Sequence, residues 1–77
     1  MDEKTFKIKF LRAELLSGIG SAPDYWEGYK LGLKRAFYGE TFVCEEEEKR
    51  WLIGVEGDNM KDQERGRGYR RALKENP

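Results

Sequence analysis

The apolar residues between positions 25 and 38 recur at helical spacing. One stripe contains Trp26, Tyr29, Leu33, Ala36 and Phe37, a pattern typical of an amphipathic helix. Before the stripe, Ser21 and Asp24 stand three apart as in a capping box, and Pro23 suits a first helical turn. The spacing predicts a helix that runs from these residues to about Tyr38 and ends at Gly39.

The N-terminal pattern fits two kinds of element. Phe6, Ile8 and Phe10 alternate with lysines, as in a strand with one buried face, whereas Ile8, Leu11 and Leu15 share one face of a helix. Because a lone strand needs a partner, we favour a helix over residues 5–17 with Gly18 as its cap.

Two further helices are predicted in the C-terminal half. The first covers residues 44–55, with four glutamates in its first turn and an apolar stripe of Trp51, Leu52 and Val55. Gly57 and the following Asp-Asn pair break it. Asp58 or Asn59 then caps a last helix that reaches about Lys74. The chain is predicted to form one all-α domain, 1–77, of three or four helices; the alternative is an α+β fold with strands at residues 5–11 and 50–55.

Two predicted helices contain similar segments, "EGYKLGLK" and "RGYRRALK". Each places a small residue four positions after a glycine, so the pairs Gly28/Gly32 and Gly68/Ala72 each lie on one helix face. A helical glycine costs about 1 kcal/mol relative to alanine, and close helix contact can offset that cost through dispersion. We expect these helices to cross at the small residues, flanked by Tyr29 and Tyr69. The alternative is a groove for an external partner.

The composition argues against several classes of protein. Histidine is absent and Cys44 stands alone, so no nucleophile–base pair, zinc cluster or internal disulfide is visible. We expect Cys44 to be a small, buried or half-buried residue. No apolar run approaches the roughly 20 residues of a membrane span, and the first ten residues lack the core of a secretory signal. The sequence indicates a cytoplasmic, non-enzymatic protein without metal, cofactor or membrane partner.

The repeated motif also resembles that of the ribosome modulation factor family. The matching segments are "GYKLGLKRA" and "GYRRALK", with Cys44 between them, and they cover about a fifth of the chain. The resemblance implies a helical hairpin and binding to ribosomal RNA. The chain differs from that strongly basic family in its balance of 15 basic and 15 acidic residues, in its run of glutamates, and in having Tyr69 where the family tends to have tryptophan.

The charged residues form candidate binding surfaces. Arg67, Arg70, Arg71 and Lys74 share one side of the last helix. If the two similar helices pack side by side, Lys30 and Lys34 could extend this positive face. Such a face suits phosphates or an acidic protein surface; the alternative is internal neutralisation by nearby glutamates. In the acidic run, Glu45 and Glu48 converge most readily, toward a cation or a basic partner, although we favour a solvated helix start as the explanation.

Three functional hypotheses follow. The chain is similar in type to short, charge-rich proteins of phages and mobile elements, some of which inhibit host defence complexes. We therefore predict a binding protein that occupies a surface of a host protein or nucleoprotein complex. The second hypothesis is an RNA- or ribosome-binding modulator, and the third is a homodimeric structural protein joined through its glycine faces.

Overall fold

A computed structural model describes residues 1–20, 22–54 and 59–76, which form four helices: α1 (Glu3–Ile19), α2 (Pro23–Tyr38), α3 (Glu45–Ile53) and α4 (Met60–Glu75). The all-α prediction is confirmed, and residues 5–11 and 50–53 are helical rather than extended. Within the described ranges, none of the helices has both the length and the apolar character that crossing a bilayer requires.

Two helix ends agree with the predicted capping residues, whereas α3 ends at Ile53 with Gly54 as its left-handed cap at φ 74°, two residues before the predicted end. Gly39 ends α2 in the left-handed conformation at φ 77°, and Asn59 caps α4 by accepting a hydrogen bond from the Lys61 backbone N–H. Gly18 is not the cap of α1, because the helix continues to Ile19 and ends at Gly20. Ala22 precedes α2 without a side-chain hydrogen bond. The proposed contribution of Ser21 lies outside the described residues, as do those of Val55, Gly57 and Asp58.

The helices lie in the spatial order α1, α2, α4, α3. The backbone of α2 packs against both α1 and α4, and α3 packs against α4. The assembly measures 36 × 28 × 18 Å, so its thinnest dimension is less than two helix diameters of about 10–12 Å each. A layer this thin leaves many large side chains partly in water.

The α2/α4 contact is the closest in the fold. A Cβ added at Gly28 would lie 1.9 Å from the Arg65 carbonyl oxygen, and one at Gly68 would lie 1.9 Å from the Tyr25 carbonyl oxygen. At Gly32 an added Cβ would lie 2.7 Å from both the Cβ of Ala72 and the Tyr69 carbonyl oxygen. Backbone therefore packs directly on backbone here, which no other residue type would permit.

The core fills the spaces on either side of this crossing. Leu33 and Ala72 are fully buried between the helices, and the Phe6 ring of α1 stacks on Phe37 with centroids 4.5 Å apart. On the other side, the buried Trp51 of α3 lies against Gly66 and the Tyr69 ring. Tyr29 and Trp51 belong to the core, and the partly buried Trp26 and Phe37 pack against it.

The expected burial of Cys44 is wrong, and residues of two apolar patterns in the sequence are exposed. The face of α1 with Ile8, Leu11 and Leu15 points outward, because Phe6, Phe10 and Ala13 on the opposite face pack against α2. Leu52 of α3 is half exposed, since Trp51 rather than Leu52 supplies the apolar contact of that helix with α4. The thiol of Cys44 is exposed, because the residue belongs to the extended segment before α3 rather than to a packed helix face.

Candidate binding surface

The α2/α4 crossing positions two buried tyrosines, and each anchors a carboxylate. The Tyr29 hydroxyl donates to Glu75 Oε2 at 2.8 Å, and the Tyr69 hydroxyl donates to Glu48 Oε1 at 2.6 Å. Burial and these carboxylates raise the pKa of each phenol to about 12. The predicted crossing residues thus lie together, with the two tyrosines linking the crossing to the surface.

The basic surface comprises four cationic residues of α4, of which Arg70 is partly buried and the other three are exposed: Arg67, Arg70, Arg71 and Lys74. Arg67 Nη1 lies 3.0 Å from Glu64, and Arg71 Nε lies 2.7 Å from Glu75. Lys74 makes no hydrogen bond or ion pair with the described residues. Neutralisation is therefore partial, with two carboxylates set against four cations.

Two arginines of the basic surface are held in place by neighbouring helices. Arg70 Nη1 donates to the Trp51 carbonyl oxygen at 2.6 Å, which ties it to α3 without neutralising its charge. Arg71 Nη1 donates to the Tyr25 hydroxyl at 3.0 Å. The hydrogen bond from Arg71, followed by that from Tyr29, lowers the pKa of Glu75 below its ordinary value of 4.5. These contacts fix the guanidinium groups before any partner arrives, which reduces the entropy lost on binding.

Lys30 and Lys34 do not extend the basic surface. They lie on the α1 side of α2, where both ammonium groups stand over the Phe10 ring, at 5.8 and 5.5 Å from its centroid. Lys30 also pairs with Glu27 at 2.9 Å. The expected single positive face is wrong for these two residues, because the face of α2 that meets α4 is the opposite one, with Gly28 and Gly32.

Of the two glutamates predicted to converge, Glu48 is held by contacts within the protein and Glu45 is exposed. Glu48 accepts hydrogen bonds from Tyr69 and from Arg35 Nε at 3.2 Å, and the Tyr69 hydrogen bond is the main cause of its lowered pKa. Glu45 is exposed at the start of α3. Because Glu48 is engaged internally, the two do not form a paired external site. Among residues 1–20, 22–54 and 59–76, no group of three or more acidic or cysteine side chains is arranged to hold a metal ion.

A cleft of about 190 Å³ adjoins the basic surface at Arg71. It lies between α1, α2 and α4 and is lined by Lys9, Arg12, Ala13, Trp26, Tyr29, Arg71 and Glu75. Sequence reasoning did not identify Lys9 or Arg12 as site residues. Their positions carry no local signal, because only the packing of α1 beside α2 brings them close to the end of α4.

The cations of this cleft are incompletely neutralised. Lys9 Nζ donates to the neutral amide oxygen of Asn76 at 2.6 Å, and Arg12 has no hydrogen bond or ion pair with the described residues. Glu75, the carboxylate in the lining, is engaged by Tyr29 and Arg71. The cleft therefore carries a positive excess and suits an anionic group of a partner.

Comparisons with known proteins give no assignment: the chain matches no protein-family model, no curated protein and no solved structure.

Proposed function

We propose that this chain is a non-enzymatic binding protein of the phage or mobile-element type. It inhibits or modulates a host protein or nucleoprotein complex by occupying one of its acidic surfaces. The observation that carries the binding part of the proposal is the basic surface on α4, whose arginines are fixed by contacts to α2, α3 and α4 itself. The phage or mobile-element part comes from the type of sequence alone.

The balance of charge favours an acidic protein surface over bulk nucleic acid. The chain carries equal numbers of basic and acidic residues, and the start of α3 presents exposed Glu45 and Glu46. A polyanion as long as RNA would meet both charge signs, whereas a protein surface can match the basic surface alone. Arginine and tyrosine are also the residue types that dominate binding energy at protein interfaces.

The test is capture of partners from lysate of the source cells with tagged full-length protein. The double variant R67E/K74E reverses two exposed charges of the basic surface and is expected to lose the captured partner. The matched control K49E/K61E makes the same change in net charge at exposed lysines of α3 and α4 outside the basic surface. We expect the control to capture the partner as the wild type does. Equal capture by both variants would refute the proposal.

RNA binding is the competing function, prompted by the resemblance to the ribosome modulation factor family. The unneutralised charges of Arg12 and Lys74 are the structural features that favour it. Binding to bulk RNA across a salt series discriminates the two, because phosphate contacts weaken steeply with salt. Capture that survives nuclease treatment supports the protein partner, and capture lost on nuclease treatment supports RNA.

A further inference from the structure

We infer that the outer face of α1, together with the adjoining cleft, is a docking site for an acidic amphipathic helix of the partner protein. The inference rests on the proposed function, because it specifies the chemistry of the partner and adds a second contact area. Apart from Arg71, which lines the cleft, it concerns residues that lie outside the basic surface of α4.

The apolar part of the site is a ridge on α1 formed by Ile8, Leu11, Leu15 and Ile19. Their exposed fractions are 54, 63, 61 and 74%. The spacing of three and then four residues places them on one helix face, over a length of about 16 Å at 1.5 Å per residue. A contiguous apolar ridge of this length is unusual for a solvated helix surface and typical of a helix that receives another helix.

The edge of the ridge toward the cleft carries cations without carboxylates. Arg12 and Lys9 lie on this edge, between the ridge and Trp26 of the cleft. Glu75, farther inside, is already bonded to Tyr29 and Arg71. A partner helix with apolar side chains on the ridge and carboxylates along this edge would complement both features.

The charges beside the ridge disfavour a second copy of this chain as the occupant. In an antiparallel pair with Leu11 opposite Leu15 of the other copy, Arg12 faces Arg12 and Glu14 faces Glu14. In a parallel pair, Lys7 approaches Arg12 of the other copy. Like charges at these flanking positions select against a pairing.

Other polyanions match the site less well. RNA offers phosphates to Lys9 and Arg12 but has no apolar surface to cover Leu15 or Ile19. An anionic membrane surface would meet Glu14 beside Leu11 on the other edge of the ridge. An acidic amphipathic helix avoids both conflicts, since its flanks can differ in charge.

The probe for the test is a synthetic 18-residue helical peptide with leucines at helical spacing, glutamates on one flank and uncharged glutamines on the other. A matched peptide replaces every glutamate with lysine. Amide and indole NMR spectra of the ¹⁵N-labelled full-length protein follow each titration. We expect the acidic peptide to shift the Trp26 indole signal, which lines the cleft, and to leave that of the buried Trp51 unchanged.

Two variants and a control locate the binding. Leu15→Asp and Arg12→Glu change exposed side chains, and each is expected to weaken binding of the acidic peptide by about tenfold or more. Ile53→Asp changes a 72% exposed apolar residue of α3 and is expected to leave the affinity within about twofold.

Several results would overturn the inference. These are no binding of the acidic peptide, equal binding of the basic peptide, or binding that Leu15→Asp does not affect. If the acidic peptide does not bind, three further assays identify another occupant. These are self-association in sedimentation, binding to phosphatidylglycerol vesicles and binding to poly(U) RNA. Loss of any of these activities in Leu15→Asp would also overturn the inference. Failure here together with partner capture that depends on Arg67 and Lys74 would refute this site and leave the proposed function intact.

Discussion

Replacing Gly68 with alanine tests the helix crossing on which the fold depends. The new Cβ would lie 1.9 Å from the Tyr25 carbonyl oxygen and 2.7 Å from the Tyr29 backbone nitrogen. Both neighbours are backbone atoms, so no change of side-chain rotamer relieves the overlap. To reach ordinary contact at 3.4 Å, the two helices must separate by about 1.5 Å.

The expected cost follows from two opposing effects. Overpacking a close-packed contact costs about 1–3 kcal/mol, and a clash with backbone belongs at the upper end of that range. Alanine returns up to about 1 kcal/mol through its higher helix propensity. The net loss in the free energy of unfolding is therefore about 2 kcal/mol, which lowers Tm by about 8–16 °C for a domain of this size.

Thermal and urea unfolding followed by circular dichroism measure this loss. The matched control is Gly18→Ala, which is also helical but has no atom within 4 Å of the added Cβ. The control is expected to gain up to about 1 kcal/mol from helix propensity alone. If Gly68→Ala is as stable as the wild type, the close approach of α2 and α4 is refuted.

Three further predictions concern the buried tyrosines and their carboxylates. Tyr69→Phe removes the hydrogen bond to Glu48 and is expected to lower the free energy of unfolding in urea by about 1–2 kcal/mol. The control Tyr38→Phe, at a 55% exposed position, should change that free energy by less than about 0.5 kcal/mol. Equal effects of the two variants would contradict the structural role of this hydrogen bond. The folded-state pKa values of Glu48 and Glu75 lie below their ordinary value of 4.5. The stability that these residues contribute is therefore present above about pH 4.5 and is lost as the pH falls through the lowered pKa values. A double Glu→Gln variant should reduce the loss of unfolding free energy at acid pH, and an unchanged loss would disprove the linkage. Because the pKa values of Tyr29 and Tyr69 are raised from 10.0 to about 12, their contribution is present below pH 10 and declines from there to about pH 12; Tyr69→Phe should reduce that alkaline decline, and a decline as steep as in the wild type would argue against it.

The α2/α4 crossing could be predicted from the sequence because it depends on glycines, which have no side chain, within helices. Few reasons account for a glycine such as Gly28 or Gly68 inside an otherwise regular helix. The simplest is that the backbone of another helix packs against the glycine. The contact between Gly66 and Trp51 of α3 was not identified; there a side-chain ring, not a backbone, lies against the glycine. A single glycine without a small residue four positions away gives a weaker signal.

The orientation of α1 could not be predicted from its apolar pattern, since both faces of the helix are apolar. Phe6, Phe10 and Ala13 lie on one face and Leu11 and Leu15 on the other. Tertiary packing decides between them, because the Phe6 ring stacks on Phe37, a partner that local sequence does not reveal. The cleft at Lys9 and Arg12 was unpredictable for the same reason.

The charged surface was predictable only in part. The helical spacing places the four cations of the basic surface on one side of α4. Whether each cation is neutralised depends on atoms from other helices, such as the carbonyl oxygen of Trp51 that holds Arg70. Lys34 shows the limit of reasoning from spacing, because the orientation of α2 directs it toward Phe10 instead.

The most direct test of the account is site-specific photo-crosslinking of the full-length protein in its source cells. A photoreactive residue at position 74 lies on the basic surface, and one at position 49 lies at an exposed site of α3. The account predicts a crosslinked protein partner from position 74 and none from position 49. Crosslinks from position 49 alone, or crosslinks from position 74 only to nucleic acid, would contradict it.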